Sequence, residues 1–213
     1  MVRIILERHG QSCANKKGIF AGQLDVELTE TGEKQADLSA QYILNNYKVD
    51  KIYASDLKRA YNTAKVVADR LDMEVIPIKK LREINAGKWD GKTFDDLEVI
   101  FDKEYSVWLT DIGRAECPGG ETVKQFSERI ISAITDIAKE NEDKTVLIGI
   151  HATPIRVMQC VCKNVPIEDM KTVPWVTNAS ITVINYDNGK WFIELESYDE
   201  HIGEFKTKLQ ANV

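Results

Sequence analysis

Two short apolar runs constrain this chain more than any other feature. Ile4-Ile5-Leu6 and Val146-Leu147-Ile148-Gly149-Ile150 are rich in β-branched residues and too short to form independent helices. Neither alternates with polar residues, so each reads as a strand buried on both faces, the pattern of a parallel sheet covered by helices. Each run also ends in a histidine. The first leads into Glu7-Arg8-His9-Gly10-Gln11-Ser12, and the second into His151-Ala152-Thr153-Pro154-Ile155-Arg156. In open α/β sheets the ligand crevice lies beyond the carboxyl ends of the strands, so both histidines fall where a ligand would sit.

The remaining pattern fits a three-layer α/β sandwich with a mostly parallel central sheet, helices on both faces and an antiparallel C-terminal hairpin. Thr29 is a good N-cap for a helix with Ala36, Ala40, Ile43, Leu44 and Tyr47 on its inward stripe. Lys51 to Ala54 reads as a strand, followed by a helix whose Ala60, Ala64, Val67, Ala68 and Leu71 share one face. Val75-Ile76-Pro77-Ile78 suits a sheet edge, because proline cannot donate to a central ladder. From about 81 to 120 the pattern is irregular. One short helix is expected there, with Phe94, Leu97, Ile100 and Phe101 at helical spacing among Gly87, Gly91, Pro118, Gly119 and Gly120. This segment reads as an excursion over the active-site face. A long helix carrying Phe126, Ile130, Ala133, Ile134 and Ile137 precedes the second apolar run. Ser180 to Tyr186 and Lys190 to Leu195 flank Asp187-Asn188-Gly189, where Asn-Gly favours a tight hairpin turn.

Length and charge narrow the function. The 213 residues, 43% of them hydrophobic, are expected to form a single domain over 1–213. A net charge of −6 argues against a nucleic-acid or anionic-membrane partner, so an anionic substrate needs a local basic pocket. Arg3, Glu7 and Arg8 interrupt the N-terminal apolar run, and no later stretch approaches ~18 apolar residues, so neither a secretion signal nor a membrane span is expected. Cys13, Cys117, Cys160 and Cys162 form no C-x-x-C, and the chain has only three histidines. Reduced thiols in a cytoplasmic protein, with no metal and no cofactor, are the expectation.

A third strand end contributes Ser55-Asp56-Leu57-Lys58-Arg59, with Arg59 early in the helix that follows. Taken singly, Arg59 or Glu83 would read as half of a surface ion pair. Two histidines and two arginines converging near helix N-termini instead make an anion site, since helix ends add partial positive charge and free amides.

This set resembles the histidine phosphatase superfamily, the phosphoglycerate-mutase-like enzymes, over nearly the whole chain. Arg8-His9-Gly10-Gln11-Ser12 is similar to its signature, followed at the usual distances by Asn15, Gly22-Gln23-Leu24-Asp25 and Leu28-Thr29-Glu30-Thr31-Gly32. Ser55-Asp56-Leu57, Arg59-Ala60, Thr63-Ala64, Leu81-Arg82-Glu83, Pro118-Gly119-Gly120-Glu121 and His151 continue the likeness. The resemblance implies that His9 is a nucleophile that becomes phosphorylated. Arg8, Arg59 and His151 would hold the phosphoryl group, Glu83 would donate a proton, and Asn15, Gln23, Ala152 and Asn178 would contact substrate. The chain departs from the family pattern at Gln11, where glutamate is common, at Ala14, where tryptophan is frequent, and at Ala152, where glycine is usual. Tyr198-Asp199-Glu200-His201 is like a C-terminal family segment, with a structural role expected for His201.

Elementary chemistry supports the same roles. Phosphoryl transfer spreads charge over three equatorial oxygens, which guanidinium forks stabilise. An imidazole with a reference pKa of about 6.5 is substantially neutral near pH 7 and can attack without a separate base. A glutamate near bound phosphate has its pKa raised by like charge, which suits a proton donor. The expected function is hydrolysis of a small phosphorylated metabolite. The alternatives are a cofactor-dependent phosphoglycerate mutase and a catalytically silent phospho-ligand-binding domain. The silent domain would have lost activity while keeping both histidines, both arginines and Glu83. A mutase must hold a substrate carboxylate as well as a phosphate. Between Glu83 and Gly120 stand Lys88, Lys92, Lys103 and Arg114 against Asp90, Asp95, Asp96, Glu98, Asp102, Glu104, Asp111 and Glu116, a poor clamp for two anionic ends. Glu7 has no role in this scheme, and one of the arginines is its expected partner. Trp89, Trp108, Trp175 and Trp191 read as packing residues, with Trp108 alone placed to line a pocket.

Overall fold

The computed structural model describes residues 1–208. Its strands are β1 (Val2–Arg8), β2 (Lys51–Ala54), β3 (Val75–Pro77), β4 (Thr145–Ile150), β5 (Ile181–Asp187) and β6 (Lys190–Tyr198). They form one sheet in the order β3-β2-β4-β1-β5-β6. The two apolar runs are therefore neighbours at its centre, paired in parallel with Leu6 opposite Ile148 and Arg8 opposite Ile150. β2 and β3 continue the parallel side, whereas β5 and β6 run antiparallel. The hairpin turns at Asn188 (φ 48°) and Gly189 (φ 80°), the two positive φ values that a tight turn of matching twist requires.

Seven α-helices are formed by the described residues: α1 (Cys13–Lys17), α2 (Glu30–Asn46), α3 (Lys58–Leu71), α4 (Phe94–Ile100), α5 (Asp102–Thr110), α6 (Val123–Glu140) and α7 (Ala152–Lys163). α2 and α3 cover one sheet face, packing Ala40, Ile43, Ala64, Val67 and Ala68 on Ile5, Ile52 and Leu147. α6 and α7 cover the other, where Phe126, Ile130, Ile155 and Met158 meet Ile4, Leu6 and Ile148. The alanines of α3 bring it close to the sheet. A Cβ on Gly149 would lie 2.7 Å from both the Ala60 carbonyl oxygen and the Ala64 Cβ.

Three expectations need correction. Leu71 is 37% exposed instead of buried, because α3 ends there and Asp72 turns the chain into the left-handed region. Leu44 and Tyr47 are only partly buried; the covered face of α2 also holds the polar Gln35 and Ser39. The short helix expected between 81 and 120 forms as α4, and a second, α5, which was not expected, follows a bend at Phe101 (φ −127°). Ile100 falls at that bend, 57% exposed, while Leu97, Tyr105 and Trp108 enter the core.

A close backbone approach positions the end of β1. A Cβ on Gly10 would sit 2.3 Å from the Gly32 carbonyl oxygen, and one on Gly32 would sit 2.1 Å from that of Gln11. The turn after His9 thus lies directly on the first turn of α2, whose start is capped by the Thr29 side chain accepting from Gly32 N.

Candidate active site

His9 follows β1 and is pinned through its backbone. Its N–H donates to the Ile150 carbonyl (3.0 Å), and its carbonyl accepts from Ala179 N (3.2 Å) and Asn178 Nδ2 (3.2 Å). The ring Nδ1 lies 2.7 Å from the Gly10 carbonyl oxygen. A carbonyl only accepts, so Nδ1 carries the hydrogen and Nε2 keeps a free lone pair. Burial, then Arg59 and Arg8, hold the His9 pKa well below its ordinary value, so the imidazole is neutral.

His151 stands at the end of the neighbouring strand, its ring centroid 5.3 Å from that of His9. Its Nε2 is 2.8 Å from Ser55 Oγ at the end of β2, and its buried Nδ1 has no protein partner. Burial and then Arg59 depress its pKa as well. Three adjacent strand ends therefore bring His9, His151 and Ser55 together, His9 lining the cleft and the other two fully buried outside its lining.

The arginines are held by backbone carbonyls and form no salt bridge among the described residues. Arg59, the second residue of α3 and 3% exposed, donates to Leu24 O (2.7 Å), Ala21 O (3.0 Å) and Gly22 O (2.9 Å). Arg8 donates to Val176 O, and its buried Nε has no partner. Burial lowers both pKa values to about 10, with Glu83 opposing the shift, so both remain cations near neutrality.

Glu83 faces this pair from the excursion. One carboxylate oxygen accepts from Ile84 N (2.8 Å) and the other from Thr153 N (3.2 Å) in the first turn of α7. Burial raises its pKa, against those two amides and Arg59. Its backbone is clamped by Arg129, which donates to the carbonyls of Lys80, Arg82 and Glu83 while pairing with Glu121 at 2.7 Å. No sequence signal marks Arg129: an arginine seven residues into a long helix carries no local sign of a distant carbonyl cluster.

The other predicted contacts divide. Asn15 Oδ1 accepts from Ser12 N (3.1 Å), Ser12 Oγ (3.0 Å) and Asn178 Nδ2 (3.3 Å), so its NH₂ group is free to donate into the cleft that Asn15 lines. Ala152 also lines the cleft. Asn178 lies one layer behind, with Oδ1 accepting from Thr207 (3.0 Å). Gln23 is outside the lining, its Nε2 donating to the Glu83 carbonyl (3.2 Å).

Two further expectations are corrected. Glu7 pairs with neither arginine: alternate strand residues face opposite ways, so it points toward α2 and accepts from Ser39 Oγ. Its other oxygen has no partner, and burial pushes its pKa up to about 7. Of the tryptophans, both Trp108 and Trp175 line the cleft. Trp89 is buried against Trp108, and Trp191 packs on Tyr186. His201 donates from Nε2 to the Ala179 carbonyl (3.1 Å) and stacks on Tyr42 and Tyr198, outside the cleft. Among the described residues there is no group of three or more His, Cys, Asp or Glu side chains able to hold a metal ion, and no helix is long and apolar enough to cross a membrane.

The sequence pattern that describes the histidine phosphatase superfamily (branch 1) matches residues 4–198. Phosphoserine phosphatase 1 of Hydrogenobacter thermophilus is 32% identical over 205 residues, covering 96% of each chain. A metal-independent phosphoserine phosphatase of Arabidopsis thaliana is 29% identical, covering 95% of this chain and 84% of its own. Among solved structures, a mycobacterial glucosyl-3-phosphoglycerate phosphatase complexed with VO₃ superposes with a TM-score of 0.85 at 26% identity, over 92% of this chain and 99% of its own. A phosphoserine phosphatase mutant from Entamoeba histolytica, in complex with phosphoserine, gives 0.80 at 30% identity, over 94% and 99%.

Proposed function

Because this chain belongs to the histidine phosphatase superfamily, we propose that residues 1–213 act as one domain that hydrolyses a small phosphorylated metabolite through a phosphohistidine on His9. The observation that carries the reading is the His9 ring: Nδ1–H is fixed on the Gly10 carbonyl, and a neutral Nε2 lies in a cleft with two guanidinium groups.

The steps follow from that geometry. The phosphoryl oxygens take the positions offered by Arg8, Arg59, the Asn15 amide and His151, whose charge and donors match the charge that develops in the transition state. His9 Nε2 forms a bond to phosphorus as the ester P–O bond breaks. The leaving oxygen takes its proton from Glu83, whose raised pKa keeps a share of it protonated. The resulting Glu83 carboxylate then accepts a proton from water, whose oxygen attacks the phosphohistidine and releases inorganic phosphate. His9 and Glu83 return to their starting states. A silent binding domain would have no need of this nucleophile and acid pair. The mutase reading is weakened by the same lining, in which Arg8 and Arg59 are the only Lys or Arg side chains among the described residues.

The test is acid quench during turnover of a phosphomonoester panel. An acid-labile phosphoenzyme should be trapped from the parent and be absent from His9→Ala, which should release no phosphate above background. Near-normal turnover by His9→Ala would overturn the nucleophile assignment. Efficient conversion of 3-phosphoglycerate to 2-phosphoglycerate in the presence of 2,3-bisphosphoglycerate, with little free phosphate, would favour the mutase.

A further inference from the structure

The cleft has two chemically different halves. Arg8, His9, Asn15, Arg59 and Glu83 make one polar side. The other is a continuous run of aromatic rings drawn from three separate segments. Phe94 of α4 lies 6.3 Å from Phe20, Phe20 lies 5.2 Å from Trp108 of α5, and Trp108 lies 6.3 Å from Trp175. All four line the cleft.

Building on the phosphatase reading above, we propose that the cleft selects phosphomonoesters whose leaving group is uncharged and apolar beyond the ester oxygen, with Phe20, Phe94, Trp108 and Trp175 covering it. This differs in chemistry from phosphoserine and glucosyl-3-phosphoglycerate, the carboxylate-bearing substrates named for the relatives described above. Among the described residues, Arg8 and Arg59 are the only Lys or Arg side chains lining the cleft, and both are needed by the phosphoryl group. A second carboxylate would be pressed against aromatic faces with no cation opposite, and burying an unpaired carboxylate is costly. Arg156 does not line the cleft: it lies 4.0 Å from the centre of the Trp175 ring, gives Nε to the Val173 carbonyl and Nη2 to those of Met170 and Val173, and keeps its partnerless Nη1 buried. On the excursion, Arg114 is paired with Asp111.

The experiment compares simple alkyl esters, so that the ester bond itself is equally reactive: propyl phosphate and 3-phenylpropyl phosphate, alongside phosphoserine and 3-phosphoglycerate. 3-Phenylpropyl phosphate should exceed each of the other three by about tenfold or more in kcat/KM, the order expected for moving a phenyl ring's apolar surface out of water. Trp175→Ala and Phe94→Ala sit at partly exposed positions. Each should shrink the phenylpropyl-to-propyl ratio severalfold, mainly through KM. Phosphoserine or 3-phosphoglycerate turned over as well as the phenylpropyl ester would overturn the inference, and so would a ratio unchanged in both variants. If no ester releases phosphate, the phosphatase reading itself fails and this inference falls with it.

Discussion

Replacing Glu7 by glutamine should stabilise the protein at alkaline pH and much less at acidic pH. Glu7 is fully buried between the sheet and α2, with Ser39 Oγ donating to one carboxylate oxygen and nothing meeting the other. Burial raises its pKa from 4.5 to about 7, so the folded protein holds this proton over a range in which the unfolded chain has lost it. The stabilisation carried by the neutral acid is fully present below about pH 4.5 and is lost as pH rises through about 7. At ~1.4 kcal/mol per unit the complete change is roughly 3 kcal/mol, of which about 2.5 kcal/mol falls between pH 5 and pH 8. Glutamine keeps the size and the acceptor for Ser39 but cannot ionise. Urea denaturation of the parent and of Glu7→Gln at both pH values isolates this effect, because every other titrating group cancels in the difference. The gap between the two midpoints should widen toward pH 8 by roughly 1 M urea, for a slope of ~2–3 kcal/mol/M. A gap equal at pH 5 and pH 8 would show that Glu7 does not hold its proton in the folded state.

Glu83→Gln should lower kcat by roughly 10²–10⁴-fold. Because burial raises the Glu83 pKa, phosphoenzyme formation by the parent should fall as pH rises through that value, and this limb should vanish in the variant; a limb that persists assigns the proton to another group. Gly32→Ala places a Cβ 2.1 Å from the Gln11 carbonyl oxygen and should cost about 1–3 kcal/mol in denaturation midpoints despite alanine's better helix propensity, with slower phosphate release as the turn after His9 shifts. Unchanged stability and rate would show that the contact relaxes freely. Dialysis against EDTA should leave phosphate release intact, since Arg8 and Arg59 supply the positive charge; loss restored by Mg²⁺ or Zn²⁺ would contradict this.

Much of the framework was legible because local rules and tertiary needs agreed. An uninterrupted β-branched run is informative about a strand covered on both faces, and the two such runs proved to be the central parallel pair. Pro77 marked the sheet edge because it lacks a donor, and Asn188-Gly189 marked the hairpin because two consecutive positive φ angles favour those residues. The helix expected over Phe94 to Phe101 forms as α4, but α5 directly after it left no separate mark in the apolar spacing. Only contacts with Phe20, Trp89 and the core decide where the chain bends.

For the site, strand-end position was enough to bring His9, His151, Arg8 and Arg59 to one side of the sheet, because side chains leaving the carboxyl ends of adjacent parallel strands must converge. Sequence by itself thus determined the sheet's central pair and the convergence of the ionisable groups. The tertiary structure alone decided what those groups touch. Arg59 rests on three carbonyls of residues 21–24, Arg129 clamps the backbone of Glu83, and Glu7 turns away from its neighbour Arg8 to meet Ser39. Likewise the aromatic wall joins Phe20, Phe94, Trp108 and Trp175 from segments as far apart as 155 positions in sequence. Backbone carbonyls carry no residue identity, and packing partners distant in the chain leave no local periodicity, so neither kind of contact can be read before the chain has folded.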